Sequence, residues 1–207
     1  MGYEEKTWRR RIAERTDLSS HVVHLVRENG GLSLFGVLMA ILTEGRIRGS
    51  DPKAGFITGE RPAVCFQDAP LSGIAQNVFY EQKHRESNPG ARLRYRAIGL
   101  MFDKRYVYKA GGRPVIYDRP DDVKKYLPAD QWWRIVNYDL TDNKNIIDWT
   151  HEREWRLPGD FHFHLPEATV LLVSKGAYQK FVQAAATALP NGVASVKSIV
   201  VLDGILY

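Results

Sequence analysis

Glu154-Trp155-Arg156-Leu157-Pro158-Gly159-Asp160-Phe161-His162-Phe163-His164-Leu165-Pro166-Glu167-Ala168-Thr169-Val170-Leu171-Leu172-Val173 is the stretch that decides the fold class. Residues 154–157 alternate polar and apolar, 161–164 alternate strictly, and 169–173 form a continuous apolar run rich in β-branched side chains. Those patterns predict three successive strands. Gly159-Asp160 and Leu165-Pro166 leave no room for a helix between them. Strands that follow one another directly argue against a doubly wound α/β fold. They predict an α+β fold with a mixed, mostly antiparallel central sheet and flanking helices.

Outward from this stretch, residues 176–189 read as a helix and 196–202 as a last strand. Upstream, 133–138 alternates like a strand, 121–126 reads as a short helix, and 114–117 as a short strand opened by proline. Residues 103–109 read as one or two helical turns, 93–102 as a strand, 71–80 as a helix and 62–66 as a strand. Residues 46–61 read as a loop. Leu34, Val37, Leu38, Ile41 and Leu42 recur at helical spacing within Leu32–Glu44, and Gly45 stands where a C-terminal cap belongs, so a buried helix is expected there. Residues 22–26 read as a strand and 4–16 as an amphipathic helix.

The 207 residues carry 44% apolar and 26% charged side chains, an ordinary globular composition. No linker rich in Pro, Gly or Ser divides them. A single domain over 1–207 is expected, with an N-terminal helix in 1–17 and an α+β core in 18–207. No apolar run approaches the ~20 residues that span a bilayer, and the first residues lack a signal-peptide layout. With Cys65 as the lone cysteine, no intrachain disulfide can form, and a cytoplasmic protein without membrane contact is expected. The net charge of +5 permits a polyanionic partner without specifying one. Arg9-Arg10-Arg11 reads as the solvated face of the first helix, or else as a phosphate contact.

Rossmann and Walker glycine signatures are both absent. His162 and His164 fall on one strand face without a nearby third ligand, so no metal is expected. The densest polar constellation is Asp148-Trp149-Thr150-His151-Glu152-Arg153-Glu154-Trp155-Arg156. If it is extended, Glu152, Glu154 and Arg156 share one face. They could form a structural ion network, or a catalytic carboxylate with its positioning partner. Asp68 ends the strand-like 63–66 and either caps the turn before the next helix or belongs to a site. Cys65 reads as a buried, inert thiol.

Four segments in order, AVCFQDAPL (63–71), GLMFDK (99–104), GGRPVIY (111–117) and EREWR (152–156), resemble the sequence pattern of AbiGi-type abortive-infection proteins across about residues 22–158. That resemblance implies a phage-defence setting, with the antitoxin-like half of a toxin–antitoxin pair as one role. More distantly, HLVRENGGLSLFGVLMAILTEG (24–45) and Arg153–Pro158 are similar to DarT-like ADP-ribosyltransferases. This second resemblance implies an ADP-ribosyltransferase-like core that takes NAD as co-substrate and transfers ADP-ribose to nucleic acid or protein. Under it Glu154 is catalytic, with Glu152 beside it. His24, Arg27, Tyr117 and Arg156 are the cofactor-binding candidates, with His24 on the nicotinamide side. Glu154 would stabilise the developing positive charge on the ribose as nicotinamide leaves. The basic stretch and central arginine of that family have no clear counterpart here, and Arg46 and Arg48 match only by position. The alternative is a non-catalytic, antitoxin-like binding module that partners a toxin. A metal nuclease ranks last, because Glu152 and Glu154 lack a third acidic partner.

Overall fold

The computed structural model describes residues 2–90 and 95–206. Its strands are β1 (His21–Leu25), β2 (Arg46–Ile47), β3 (Ala63–Gln67), β4 (Gly99–Asp103), β5 (Arg113–Pro114), β6 (Ile116–Tyr117), β7 (Ile135–Val136), β8 (Glu154–Pro158), β9 (Phe161–His162), β10 (Thr169–Leu172) and β11 (Ser198–Val201). Its α-helices are α1 (Glu5–Ala13), α2 (Leu34–Glu44), α3 (Leu71–Ser87), α4 (Lys104–Lys109), α5 (Pro120–Val123), α6 (Lys175–Ala188) and α7 (Asp203–Leu206). The class is α+β, and most strand pairs are antiparallel. The chain divides into two compact units. The first takes Met1–Arg46, Ala69–Asp103 and Phe163–Tyr207; the second takes Ile47–Asp68 and Lys104–His162.

In the first unit the strands run in the order β11-β10-β4-β1. β4 is antiparallel to both β1 and β10, and β10 is parallel to β11. Alternation puts Val23, Leu171 and the half-buried Met101 on one face, where Ile74 and Val78 of α3 pack with Tyr95 and Ala97. Gly99 is required by close approach: a Cβ there would collide with the His24 carbonyl across the β1–β4 pair. α2 forms as its apolar period demands. Ser33 caps it by accepting from the Gly36 amide at 3.2 Å, and Gly45 ends it at φ 59°. Leu38 and Leu42 are fully buried, while Leu34, Val37 and Ile41 are half-buried. α1 buries no residue completely, and Arg9 pairs with Asp103 at 2.7 Å.

In the second unit β8 is the centre of an antiparallel ladder, β3-β8-β5, and β6 pairs in parallel with β7. Ile57, Ala63 and Trp133 form a buried cluster against Cys65. Phe66 and Tyr106 meet the Phe161 ring edge-on, with centroids 5.7 and 5.9 Å away.

Several expected boundaries shift. The helix expected over 71–80 continues to Ser87, past the exposed Phe79 and Tyr80. The strand expected over 93–102 is confined to Gly99–Asp103; its first positions, Leu93 and Arg94, lie outside the described residues. The strand expected over 133–138 is a 3-10 turn (Ala129–Arg134) followed by only Ile135–Val136. The alternation over 161–164 yields a strand of only Phe161–His162, and His164 instead precedes a 3-10 turn.

Candidate functional site

β8 begins abruptly, and the residues before it explain why. Asp148 closes a turn by accepting from the Thr150 amide at 2.8 Å and from its hydroxyl at 2.6 Å. Thr150–Glu152 make one 3-10 turn, and Arg153 follows at φ 47°, the one described non-glycine residue with positive φ. That left-handed step reorients the chain, and the ladder starts at Glu154. The expected sharing of one extended face by Glu152, Glu154 and Arg156 therefore fails for Glu152, which sits in the 3-10 turn. It holds for Glu154 and Arg156, both on β8.

The register places Gln67 opposite Glu154 and Cys65 opposite Arg156. Directly opposed residues project to the same side of an antiparallel pair. One face thus carries a carboxamide, a thiol, a carboxylate and a guanidinium. Glu154 and Arg156 are only 7% and 4% exposed. Arg156 Nε donates to Glu154 Oε1 at 2.9 Å and Nη2 to Oε2 at 3.3 Å. Nη1 donates to the carbonyls of Trp133 and Ile135 at 2.9 and 3.0 Å, and Nη2 also to that of Phe56 at 3.1 Å. A guanidinium has about five N–H donors, and here the whole fork is engaged. Arg156 thereby ties β8 to the Ala129–Arg134 turn, to β7 and to the Phe56 loop. Burial is the largest influence and works against its charge, but the attraction of Glu154 and Cys65 and the hydrogen bonds to them together outweigh burial, so its pKa is raised.

Tyr117 joins the same neighbourhood. Its hydroxyl accepts from the Glu154 amide at 2.7 Å. Burial, opposed by that bond and reinforced by the charges of Glu154 and Glu152, pushes its pKa up to about 12. Burial, and then the charge of Glu154, also hold the Cys65 thiol in its protonated form. Gln67 is 8% exposed, and its Oε1 has no hydrogen-bond partner among the described residues.

Trp155 serves the other face of β8. Its Nε1 donates to Asp68 Oδ2 at 3.2 Å, and Lys104 pairs with Asp68 Oδ1 at 2.8 Å. Asp68 is therefore the ion partner of Lys104 and a hydrogen-bond acceptor for β8.

No family model, no curated protein and no solved structure matches this chain.

Of the six residues singled out by resemblance, Tyr117, Glu152, Glu154 and Arg156 belong to the second unit. The charge of Glu152 acts on Tyr117 and Cys65, which places it in the same neighbourhood. His24 lies half-buried on β1 opposite Leu100, and Arg27 is exposed just beyond β1; both belong to the first unit. Cys65 and Gln67 are not among those six. The i, i+2 spacing of Ala63, Cys65 and Gln67 in a strand-like run marks them as sharing a face. Among the described residues, no group of three or more His, Cys, Asp or Glu side chains could hold a metal ion, and no helix is long and apolar enough to cross a membrane.

Proposed function

We propose that the chain is a cytoplasmic phage-defence protein of the AbiGi type, working as a non-catalytic binding module that partners a toxin. One observation carries the non-catalytic part: the Glu154 carboxylate is buried and held in both of its oxygens by Arg156, whose remaining donors are spent on backbone carbonyls. A carboxylate that stabilises a substrate's developing charge must face that substrate. Glu154 instead faces a counterion that belongs to the fold. The defence setting, the toxin partner and an ADP-ribosyltransferase-like ancestry of the core come from the sequence resemblances.

A second reading, an NAD-dependent ADP-ribosyltransferase acting on nucleic acid or protein, is favoured by a specific feature. Four of its six expected residues belong to one unit, and the unpartnered Gln67 Oε1 opposite Glu154 offers an acceptor to a bound group. In that reading Arg156 orients Glu154, and Glu154 takes the ribose hydroxyl.

A phage plating assay separates the two. Bacteria expressing the wild-type chain, Glu154→Gln or Leu157→Ala are challenged at a temperature where all three are folded. Leu157 is buried on the same strand and serves as a destabilised control. The binding reading expects all three to protect alike. Loss of protection in Glu154→Gln alone would establish a chemical role for the carboxylate. Unchanged plating with the wild-type chain would remove the defence setting itself.

A further inference from the structure

Two guanidiniums of the second unit stand together without a counterion. Arg113, on β5, donates through Nη1 to the carbonyls of Tyr108 and Gly112 at 2.8 and 2.7 Å. Arg134, at the end of the 3-10 turn, donates through Nε to the carbonyl of Pro114 at 3.2 Å, the residue after Arg113. Arg113 is thus held by carbonyls just before β5, and Arg134 by a carbonyl on β5 itself, all of them neutral. Among the described residues neither forms an ion pair with a carboxylate. Burial first, and then the nearby charge of Arg113, lower the pKa of Arg134. Arg119, in the same unit, shows the usual arrangement, with Asp122 and Asp139 each 3.7 Å away.

The anchoring leaves Nε and Nη2 of Arg113 and both Nη groups of Arg134 as donors. Planar guanidinium forks match phosphate oxygens in bidentate fashion, and a doubly charged anion relieves the repulsion that the pair otherwise bears. The guanidinium of Arg113 lies over the face of Tyr108, its carbon 3.9 Å from the ring centroid, and Trp155 meets the same ring edge-on at 6.4 Å. That stacking fixes the plane of the Arg113 fork. Lys109, next in the chain, is exposed.

We infer that Arg113 and Arg134 form a clamp for a phosphate group, with Tyr108 holding the Arg113 fork in place by stacking. The clamp shares no residue with the Glu154–Arg156 pair, so it stands whichever reading of Glu154 holds.

Calorimetric titration at low salt with AMP and, separately, with inorganic phosphate tests this. The two are expected to bind alike, since the clamp takes the phosphate group and Tyr108 is covered by Arg113. Arg113→Gln and Arg134→Gln are each expected to weaken both ligands by about tenfold, the loss of one charge-assisted contact. Arg119→Gln is expected to bind both as the wild type does. Arg134→Gln, which gives up a single anchoring bond, carries the test if Arg113→Gln does not fold. No binding of either probe by the wild type overturns the clamp. So does undiminished binding in Arg134→Gln, or an equal loss in Arg119→Gln, which would reflect net charge alone.

Discussion

Replacing Glu154 by Gln removes one charge from a site that water hardly reaches. The substitution keeps the shape, and the new carboxamide oxygen can still accept from Arg156 Nε. What it removes is the charge opposite a guanidinium that is 4% exposed. Breaking a buried pair by removing one partner costs about 3–5 kcal/mol, because the other charge is left uncompensated. The lower end applies here, since three backbone carbonyls continue to solvate Arg156. For a chain of this size about 1 kcal/mol corresponds to 2–4 °C in Tm, so Glu154→Gln should melt about 6–12 °C below the wild type. Arg156→Met should cost more. It leaves the Glu154 carboxylate unpaired and takes a donor from three carbonyls; the loss at the buried Trp133 costs about 1–3 kcal/mol, while the Ile135 carbonyl keeps the Thr58 hydroxyl at 3.4 Å and Phe56 is exposed. The two single variants and the double variant close a thermodynamic cycle, read by thermal and urea melts followed by circular dichroism. A coupling of about 2 kcal/mol is expected between directly hydrogen-bonded charges. A Glu154→Gln protein that melts within 2 °C of the wild type, or an Arg156→Met protein less damaged than Glu154→Gln, would refute the idea that this pair fastens the second unit.

Three further outcomes follow from the same geometry. Leu38 is fully buried in α2, and Leu38→Asp should destabilise the protein by several kcal/mol, about the cost of an unpaired buried charge; a melt like that of the wild type would overturn the core assignment. Tyr117 ionises near pH 12 in the folded protein against about 10 unfolded. Because the folded pKa is the higher, its contribution is whole below pH 10 and is lost as pH rises through 12. Tyr117→Phe should flatten the fall in stability over that window in alkaline urea melts, and an unchanged slope would contradict it. Cys65, kept as a thiol by burial and by Glu154, should resist alkylation at neutral pH until the protein is unfolded in urea. Rapid labelling of the native protein would show that the face is open.

The parts of this structure that were legible in the sequence are those whose signal is local. α2 declares itself by apolar spacing and by Ser33 and Gly45 at its ends. The strand succession after Glu154 gives the α+β class, because no helical period fits between the runs. The mistaken stretches are those in which one local pattern admits two backbones. Trp133 to Tyr138 alternates, yet Trp133 lies within a 3-10 turn and packs inward at 3% exposure, which alternation cannot distinguish from a strand. α3 outlasts its apolar period because Glu81 turns inward while Phe79 and Tyr80 point out, the reverse of what hydropathy suggests. An extended Glu152 shares a face with Glu154, but nothing in Glu-Arg-Glu marks the left-handed turn at Arg153 that removes it. Likewise, Glu154 and Arg156 could be paired from their i, i+2 spacing. Their burial, and the presence of Cys65 and Gln67 opposite them, depend on a register between strands nearly ninety residues apart, which no local pattern encodes.

The account turns on whether Glu154 performs chemistry, and released nicotinamide reports on that most directly. Wild-type protein and Glu154→Gln are incubated with NAD, with and without single-stranded DNA and RNA, and free nicotinamide is quantified by chromatography against a buffer blank. A structural ion pair predicts release at the level of the blank in every arm. Release above the blank by the wild type that vanishes in folded Glu154→Gln would contradict the account and make Glu154 a catalytic residue.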